Sequence, residues 1–435
     1  MTPTPGIGLI GVAVLLALLL LGIPIGIALG LVGLCGLALT LGLEPALVKS
    51  AVVLFETLSR YELGTLPLFM LMAQLCFAAG ASRDFFDAAA RLMGHRRGGL
   101  LMASIAGCAG FGSITGSSLA TTATVGMVAL PEMRSRGYAD SLSAGTLAAG
   151  GTLGQMIPPS GALIVFGIIA EQSIGRLFTA AIIPGLTQML SYLIVIAIIV
   201  ALRPQLAPPT ARSTGAERRA ALWRVSDLLA LIALVIGGIM VGWFTPSEAA
   251  AVGCVGSFLI CLRRKKLTLA ALRTALETTL RTSGMIYVVV IGALVFSVFI
   301  TVTGLAEAFG TQVVALGAGP VMTMILIAVF LLIVGSVLDG LGLMLLTTPI
   351  LLPIVERFEL SPIWFGIFLV RSMEIGFVHP PLGFNLYVIQ GIAPDIPLGR
   401  IFRGVVPFLA ADLLHLLLII LFPALALALP GWLAR

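Results

Sequence analysis

Seven hydroxyl side chains fall within fifteen residues of "GSITGSSLATTATVG", positions 112–126: Ser113, Thr115, Ser117, Ser118, Thr121, Thr122 and Thr124. Hydroxyl oxygens, and carbonyl oxygens released from helical pairing, are hard ligands suited to Na+, while helix N-termini in such a stretch present N–H groups to an anion. Small residues of this kind also let membrane helices pack closely. The neighbouring sequence favours the ion site. "GQMIPPSG" (154–161) and "EIGFVHPPLGFN" (374–385) each set two prolines side by side within apolar runs. Proline lacks the N–H that closes the helical ladder and clashes with the preceding turn, so the first break is expected to be largely unwound over 154–161. Bare backbone at membrane depth persists only where it lines a cavity, binds an ion or packs inside protein.

"GSVLDGLGLMLLTTPILLP" (335–353) carries Asp339 inside an otherwise apolar segment. An intramembrane carboxylate is a functional candidate, and Asp before Gly340 is also a good helix N-cap; the two roles can coexist. Arg371 and Glu374, three apart on a helix, read as a mutual salt bridge. His379 either meets a substrate or bonds a backbone carbonyl, and Asn385 offers an amide to a site. No GxxxxGK[ST] phosphate loop is present, so the energy for any transport comes from an ion gradient or a partner. Besides Asp339 and Glu374 the membrane interior offers few titratable groups, which favours sodium over protons. Neither an aspartyl pair nor a Ser/His pair stands out, and the chain does not read as an intramembrane protease or any other enzyme.

These residues need elements to hold them. Apolar runs of span length occur at 6–21, 24–43, 63–80, 141–172, 176–202, 226–242, 247–262, 284–303, 362–392 and 402–431. Two further segments, 98–131 and 319–353, are interrupted near their middles and read as re-entrant hairpins. A polar, proline-containing stretch over 203–225 reads as a cytoplasmic linker between two halves, 1–202 and 226–435. The halves echo each other: Pro131 precedes Pro158 by 27 positions and Pro353 precedes Pro380 by 27. "PPSG" (158–161) matches "PPLG" (380–383), and "GRLFTAAIIP" (175–184) matches "GRIFRGVVP" (399–407). The segments 45–61 and 265–281, one before each hairpin, read as interfacial arms.

With Arg83–Arg97 cytoplasmic and both hairpins re-entrant, 19 of the 25 Lys and Arg residues fall on the cytoplasmic side. That is the bias expected of membrane proteins. Equivalent segments then face opposite sides, and inverted repeats with broken helices at matching positions are the pattern of a secondary transporter with a midplane site. The expected fold is thus an all-α polytopic membrane protein of two inverted-topology repeats, each with a hairpin and a broken helix. A 59% hydrophobic, 10% charged chain with mean hydropathy +1.14 excludes a soluble reading. The first apolar run lacks a basic flank and a cleavage site and reads as a span. The five cysteines are scattered in apolar runs without metal or disulfide spacing.

Taken together, the hydroxyl-rich 112–126 stretch and the two breaks "GQMIPPSG" and "HPPLGFN" resemble the large membrane subunit of the tripartite ATP-independent periplasmic (TRAP) transporters, over nearly the whole chain. The resemblance implies an elevator-type transporter in the bacterial inner membrane, importing an organic anion such as a C4-dicarboxylate or sugar acid on a Na+ gradient. It implies a periplasmic binding protein that delivers substrate and a small membrane subunit of about four spans, expected here as a separate chain. No cofactor beyond Na+ as coupling ion is implied. Matched by motif position, one Na+ site lies among Ser113, Thr115, Ser117, Gly154, Met156 and Pro158. A second lies among Gly335, Asp339, Gly376, Val378 and Pro381, with substrate near Gly116, Ser118, Ser160, Gly340, His379 and Asn385. A single-chain Na+/dicarboxylate symporter of the divalent-anion type is the nearest alternative, and a channel a more distant one.

Overall fold

Prolines, glycines and hydroxyl caps set the helix ends. The structure is a computed structural model and describes residues 4–433 apart from 316, 318, 337 and 381, without the side chains of 313–315. In chain order its α-helices are α1 (Pro5–Leu20), α2 (Ile25–Leu41), α3 (Leu43–Ser59), α4 (Thr65–Ala78), α5 (Ala81–Met93), α6 (Gly99–Thr115), α7 (Ser118–Ser135), α8 (Asp140–Met156), α9 (Gly161–Ile169) and α10 (Ile174–Leu202). They continue as α11 (Gly215–Val241), α12 (Pro246–Arg263), α13 (Leu269–Thr303), α14 (Leu305–Ala315), α15 (Pro320–Gly335), α16 (Gly340–Arg357), α17 (Pro362–Gly376), α18 (Phe384–Ile392), α19 (Leu398–Leu421) and α20 (Ala424–Leu433). No strand occurs among the described residues. Among the described residues seven helical segments are long and apolar enough to cross a bilayer, eight with the bent pair α8 and α9, whose axes differ by 43°.

Both hairpins form: α6 with α7, and α15 with α16. So do both broken helices, α8 with α9 and α17 with α18. The first break is tighter than the sequence suggests. The helix runs through Gly154 to Met156, and only 157–160 leave helical geometry. Ile157 is extended (φ −75°, ψ 122°), as a residue before proline must be, and Ser160 restarts the chain as N-cap of α9. Proline acts on its own residue and the one before it, so Gly154 and Gln155 stay helical.

Three other boundaries differ from expectation. The linker 203–225 is extended only in part: Thr214 and Glu217 close a capping box that starts α11 at Gly215, turning the stretch's second half into helix. The arm 265–281 is not separate from the span after it, because α13 runs unbroken for 35 residues. Its counterpart does break, α3 ending at Ser59 and α4 starting at Thr65 after a short 3-10 turn over Tyr61–Gly64. The expected span 402–431 stops at Leu421, where Phe422 (φ −127°, ψ 76°) leaves helical geometry ahead of Pro423.

The broken helices are the centre of the molecule. Every residue from Leu142 to Met156 on α8 is buried, and so is every residue from Ile363 to Gly376 on α17. A helix enclosed on all sides needs neighbours close in, and α8 admits them through glycine. A Cβ added at Gly151 would stand 1.7 Å from Thr122 Oγ1, and one at Gly154 would stand 2.4 Å from Thr121 Oγ1. Around this centre, α2 packs along α13 and α12 along α4, an exchange of equivalent partners between the two halves.

Candidate functional site

The tips of the two hairpins face one cavity of about 290 Å³. Thr115–Leu119 from the first tip, Asp339–Leu341 from the second, Gln155, Pro159 and Gly161 at the first break, and Met373 and Phe377 beside the second all line it. Phe69 and Met70 of α4, with Thr282 and Met285 of α13, close another side. Among the described lining residues Asp339 is the only charged side chain. No cationic side chain lines the cavity among the described residues, so groups that could attract an anion come from backbone: α7, α9 and α16 all begin at its wall, with Ser118, Gly161 and Gly340 as their first residues. Helix N-termini carry unpaired N–H groups and the positive end of the helix dipole, so three of them aimed at one cavity suit an anion.

The first tip is fastened to the first break through backbone. Gly116 turns the chain with φ +60°, and its carbonyl accepts from the Gly161 N–H at 3.2 Å. A Cβ there would lie 2.8 Å from the Pro159 carbonyl oxygen, so the position requires glycine for both conformation and space. Thr115 and Thr121 share a hydrogen bond of 2.8 Å between their hydroxyls. Gly154 sits against Thr121 and the Ser117 carbonyl, within 2.9 Å of a hypothetical Cβ. Thr115, Ser117, Thr121 and Gly154 thus form one oxygen-rich cluster. Ser113 is adjacent along α6 but donates to the Gly110 carbonyl at 2.7 Å. Met156 ends α8 as a buried side chain, and Pro158 lies in the break itself. Ser160 accepts from Leu163 N–H as the cap of α9.

In the second unit Gly376 rests on the last turn of α15, where a Cβ would approach the Gly335 carbonyl oxygen at 2.8 Å. Asp339 is the N-cap of α16, its Oδ2 accepting from Gly342 N–H at 3.2 Å, and it also faces the cavity. Gly340 packs against Met373 and Phe377. Val378 is buried, and its N–H donates to the Ile375 carbonyl at 3.0 Å. Pro381 lies outside the described residues.

Three expected substrate residues are placed elsewhere, the first being Ser160, which is fully buried in its cap and does not line the cavity. His379 does not line the cavity; its ring Nδ1 is buried without a partner, so the bond to a backbone carbonyl expected of the ring is not made at that atom. Asn385 is fully buried and committed to other protein groups. Its Nδ2 donates to Ser118 Oγ and to the Ala148 carbonyl, both at 2.9 Å, clasping α18 to α7 and α8. Sequence reasoning treated the Asn amide as free because nothing local shows a partner 267 positions away.

The structure also adds residues to the site. Gln155 lines the cavity with a buried, unpartnered Oε1, and its place two residues before the break was the available signal. Arg371 donates Nη1 to Glu374 at 2.9 Å, as the spacing suggested, and Nη2 to Asp412 of α19. Asp412 escaped notice although an acid in the middle of an apolar span was a signal in itself.

Comparisons with known proteins converge on one group. A family model described as "Tripartite ATP-independent periplasmic transporter, DctM component" matches residues 12–425. The chain is 36% identical to the C4-dicarboxylate TRAP transporter large permease protein DctM of Pseudomonas aeruginosa, covering 92% of this chain and 94% of that one. It is 31% identical to the sialic acid TRAP transporter large permease protein SiaM of Vibrio cholerae, covering 95% and 96%. Among solved structures, the YdaH transporter of Alcanivorax borkumensis aligns with a TM-score of 0.62 over 97% of this chain and 98% of that one, at 14% identity, a likeness of fold.

Proposed function

The chain belongs to the DctM-component family of tripartite ATP-independent periplasmic transporters, and from that premise we propose that it imports an organic carboxylate across the bacterial inner membrane, driven by Na+. The observation that carries the reading is the cavity between the hairpin tips, where three helix N-termini converge and the one charged side chain among the described lining residues is an acid. Backbone N–H groups hold the carboxylate, and Na+ ions beside them supply charge that the side chains do not. One ion is held by the oxygen cluster of Thr115, Ser117 and Thr121 near Gly154; the other is held near Asp339 and the Gly335–Gly376 contact. Tying the affinity for the anion to the presence of the cations couples the two fluxes.

In this reading residues 1–202 and 226–435 are inverted repeats. Their hairpins and broken helices form a unit that moves against the remaining helices in elevator fashion, a small membrane subunit completes the static part, and a periplasmic binding protein delivers substrate. The relatives named for C4-dicarboxylate and sialic acid support a carboxylate cargo. The test is uptake of a labelled C4-dicarboxylate or sialic acid into liposomes holding the chain and its small subunit, with and without an inward Na+ gradient and with and without binding protein. Uptake that requires both supports the proposal. Sodium-driven uptake without binding protein would replace it with a single-chain symporter, and uptake on a proton gradient alone would reject sodium coupling.

A further inference from the structure

A second cavity, of about 390 Å³, lies apart from the transport cavity in a groove bounded by α1, α14, α15 and α16. Its lining is apolar except for two threonines, and one of these, Thr347, donates its hydroxyl to the Leu343 carbonyl at 2.7 Å. Leu9 of α1 and Leu326 of α15 line the groove and are exposed, so it opens outward between helices whose surroundings are hydrocarbon.

Dimensions narrow the choice of occupant. Along α15 the lining runs from Thr323 to Val334, which at about 1.5 Å per residue is about 16 Å. The hydrocarbon core of a bilayer is about 30 Å thick, so the groove has the depth of one leaflet. A transmembrane helix is too bulky for it: one turn, about 10–12 Å wide and 5.4 Å tall, takes up more space than the whole groove. An acyl chain laid lengthwise fits.

The two ends of the groove differ as the two ends of a phospholipid do. α15 and α16 are antiparallel arms of one hairpin, so the end of the groove near the hairpin tip is walled by Val334 and Leu346, both apolar. At the other end Thr323, in the first turn of α15, is buried with no partner for its hydroxyl. Arg357 lies at that same end, one turn beyond the lining residue Ile354. A Cβ added at Gly310 would stand 3.3 Å from Arg357 Nη1 and 3.8 Å from Ile354 Cγ1, which puts the guanidinium stem over the mouth of the groove. Arg357 Nη1 donates to Thr311 Oγ1 at 2.9 Å, and among the described residues Arg357 makes no ion pair.

We propose that this groove is a phospholipid site, with one acyl chain lying along α15 and α16, the Thr323 hydroxyl donating to an ester carbonyl, and Arg357 holding the phosphate. Chain, ester and phosphate are then met in the order in which a glycerophospholipid carries them. Bound there, the lipid joins α1 to the second hairpin.

Native mass spectrometry tests this on the chain purified with its small membrane subunit, stripped of lipid in detergent and titrated with a phosphatidylglycerol. Two further probes each lack one part: a diacylglycerol with the same chains, and glycerol phosphate. The expected result is one phospholipid retained per chain, with each partial probe bound at least ~tenfold more weakly. Arg357→Gln should weaken phospholipid binding about tenfold and leave diacylglycerol binding unchanged. Val12→Phe and Val334→Phe fill the groove from α1 and from α15, and either variant, provided it melts as the wild type does, should lose the retained lipid. Undiminished retention in a filled groove that melts normally overturns the proposal, as does unchanged phospholipid binding in Arg357→Gln. Glycerol phosphate held as tightly as the phospholipid would make Arg357 a free-phosphate site and overturn it as well.

Discussion

At the tip of the first hairpin the N-cap of the second arm is Ser117; at the tip of the second it is Asp339, and both accept from the N–H three residues on. The spacing is constant: 339 − 117, 376 − 154 and 380 − 158 all equal 222. At each place the backbone task is the same. The cap starts the arm, a glycine on the broken helix meets the hairpin's first arm or tip, and the proline interrupts the helix. The chemistry differs. The first unit carries neutral hydroxyls, and the second carries Asp339, with Arg371 and Glu374 further along its broken helix. Geometry in these repeats is held by glycine, proline and caps, which leaves side-chain charge free to diverge.

The largest expected effect tests the packing half of this comparison. Position 151 is glycine in the first unit, and its equivalent, 373, is methionine in the second. A methyl group at 151 would fall 1.7 Å from Thr122 Oγ1, with buried helices on both sides. Gly151→Ala should therefore cost about 1–3 kcal/mol through overpacking and abolish most uptake. Met373→Leu keeps the volume of the buried side chain beside Gly340 and should cost less than about 1.5 kcal/mol. Thermal melting of the two variants checks the order, and a wild-type melting temperature for Gly151→Ala would remove close packing as what distinguishes the first unit.

Next comes the clasp, which runs in one direction. Asn385 of the second unit reaches into the first unit's hairpin, while its equivalent in the first, Leu163, is apolar. Asn385→Ala leaves the Ala148 carbonyl and the Ser118 hydroxyl buried without this partner, a loss of about 1–3 kcal/mol. Ser118→Ala removes one of the same bonds, so the double variant should cost less than the two single losses added together. Full additivity in melting experiments would show that the two residues act independently.

The sequence exposed what is decided locally. Pro158, Pro159 and Pro380 interrupt their helices wherever those helices are placed, and the 222-residue repeat displays the hairpins without any contact information. What it hid is decided at a distance. Asp412 meets Arg371 across 41 positions and Asn385 meets Ser118 across 267, and neither partner leaves a mark on its neighbours in the chain. The continuity of α13 was obscured because the polar segment 265–281 has an interfacial composition, although no proline or glycine pair stops the helix before Gly304. Backbone oxygens have no side-chain signature, so the Ser117 carbonyl could be picked out only from coordinates, as could which of the seven hydroxyls of 112–126 stand beside it.

Charge is the half of the comparison that transport measurements resolve. Asparagine caps helices nearly as well as aspartate or serine, so Asp339→Asn and Ser117→Asn both keep their arms folded. Asp339→Asn alone removes a negative charge from the cavity wall. It should raise the Na+ concentration for half-maximal uptake on the order of tenfold, equivalent to about 1.4 kcal/mol, while Ser117→Asn shifts it less. Titrating uptake against Na+ for both variants decides the matter. Equal shifts would mean that the two caps contribute to ion binding through geometry alone.

The smallest effect belongs to a contact outside both units' centres. Arg60, between α3 and α4, donates Nη2 to Glu171 at 2.9 Å and Nη1 to the Ile168 carbonyl at 3.2 Å, linking that corner to the end of α9. The ion pair is exposed, with side chains 32% and 74% accessible, so Coulomb attraction there is largely screened by water and salt. Arg60→Ala should cost less than about 1 kcal/mol, and Glu171→Gln less again because the bond to the Ile168 carbonyl survives it. Melting curves at low and high salt separate the two contributions: a loss that vanishes in salt belongs to the ion pair, and one that persists belongs to the carbonyl bond. A cost for Arg60→Ala matching that of Asn385→Ala would mean that the exposed corner, and not the buried clasp, holds this end of the first broken helix.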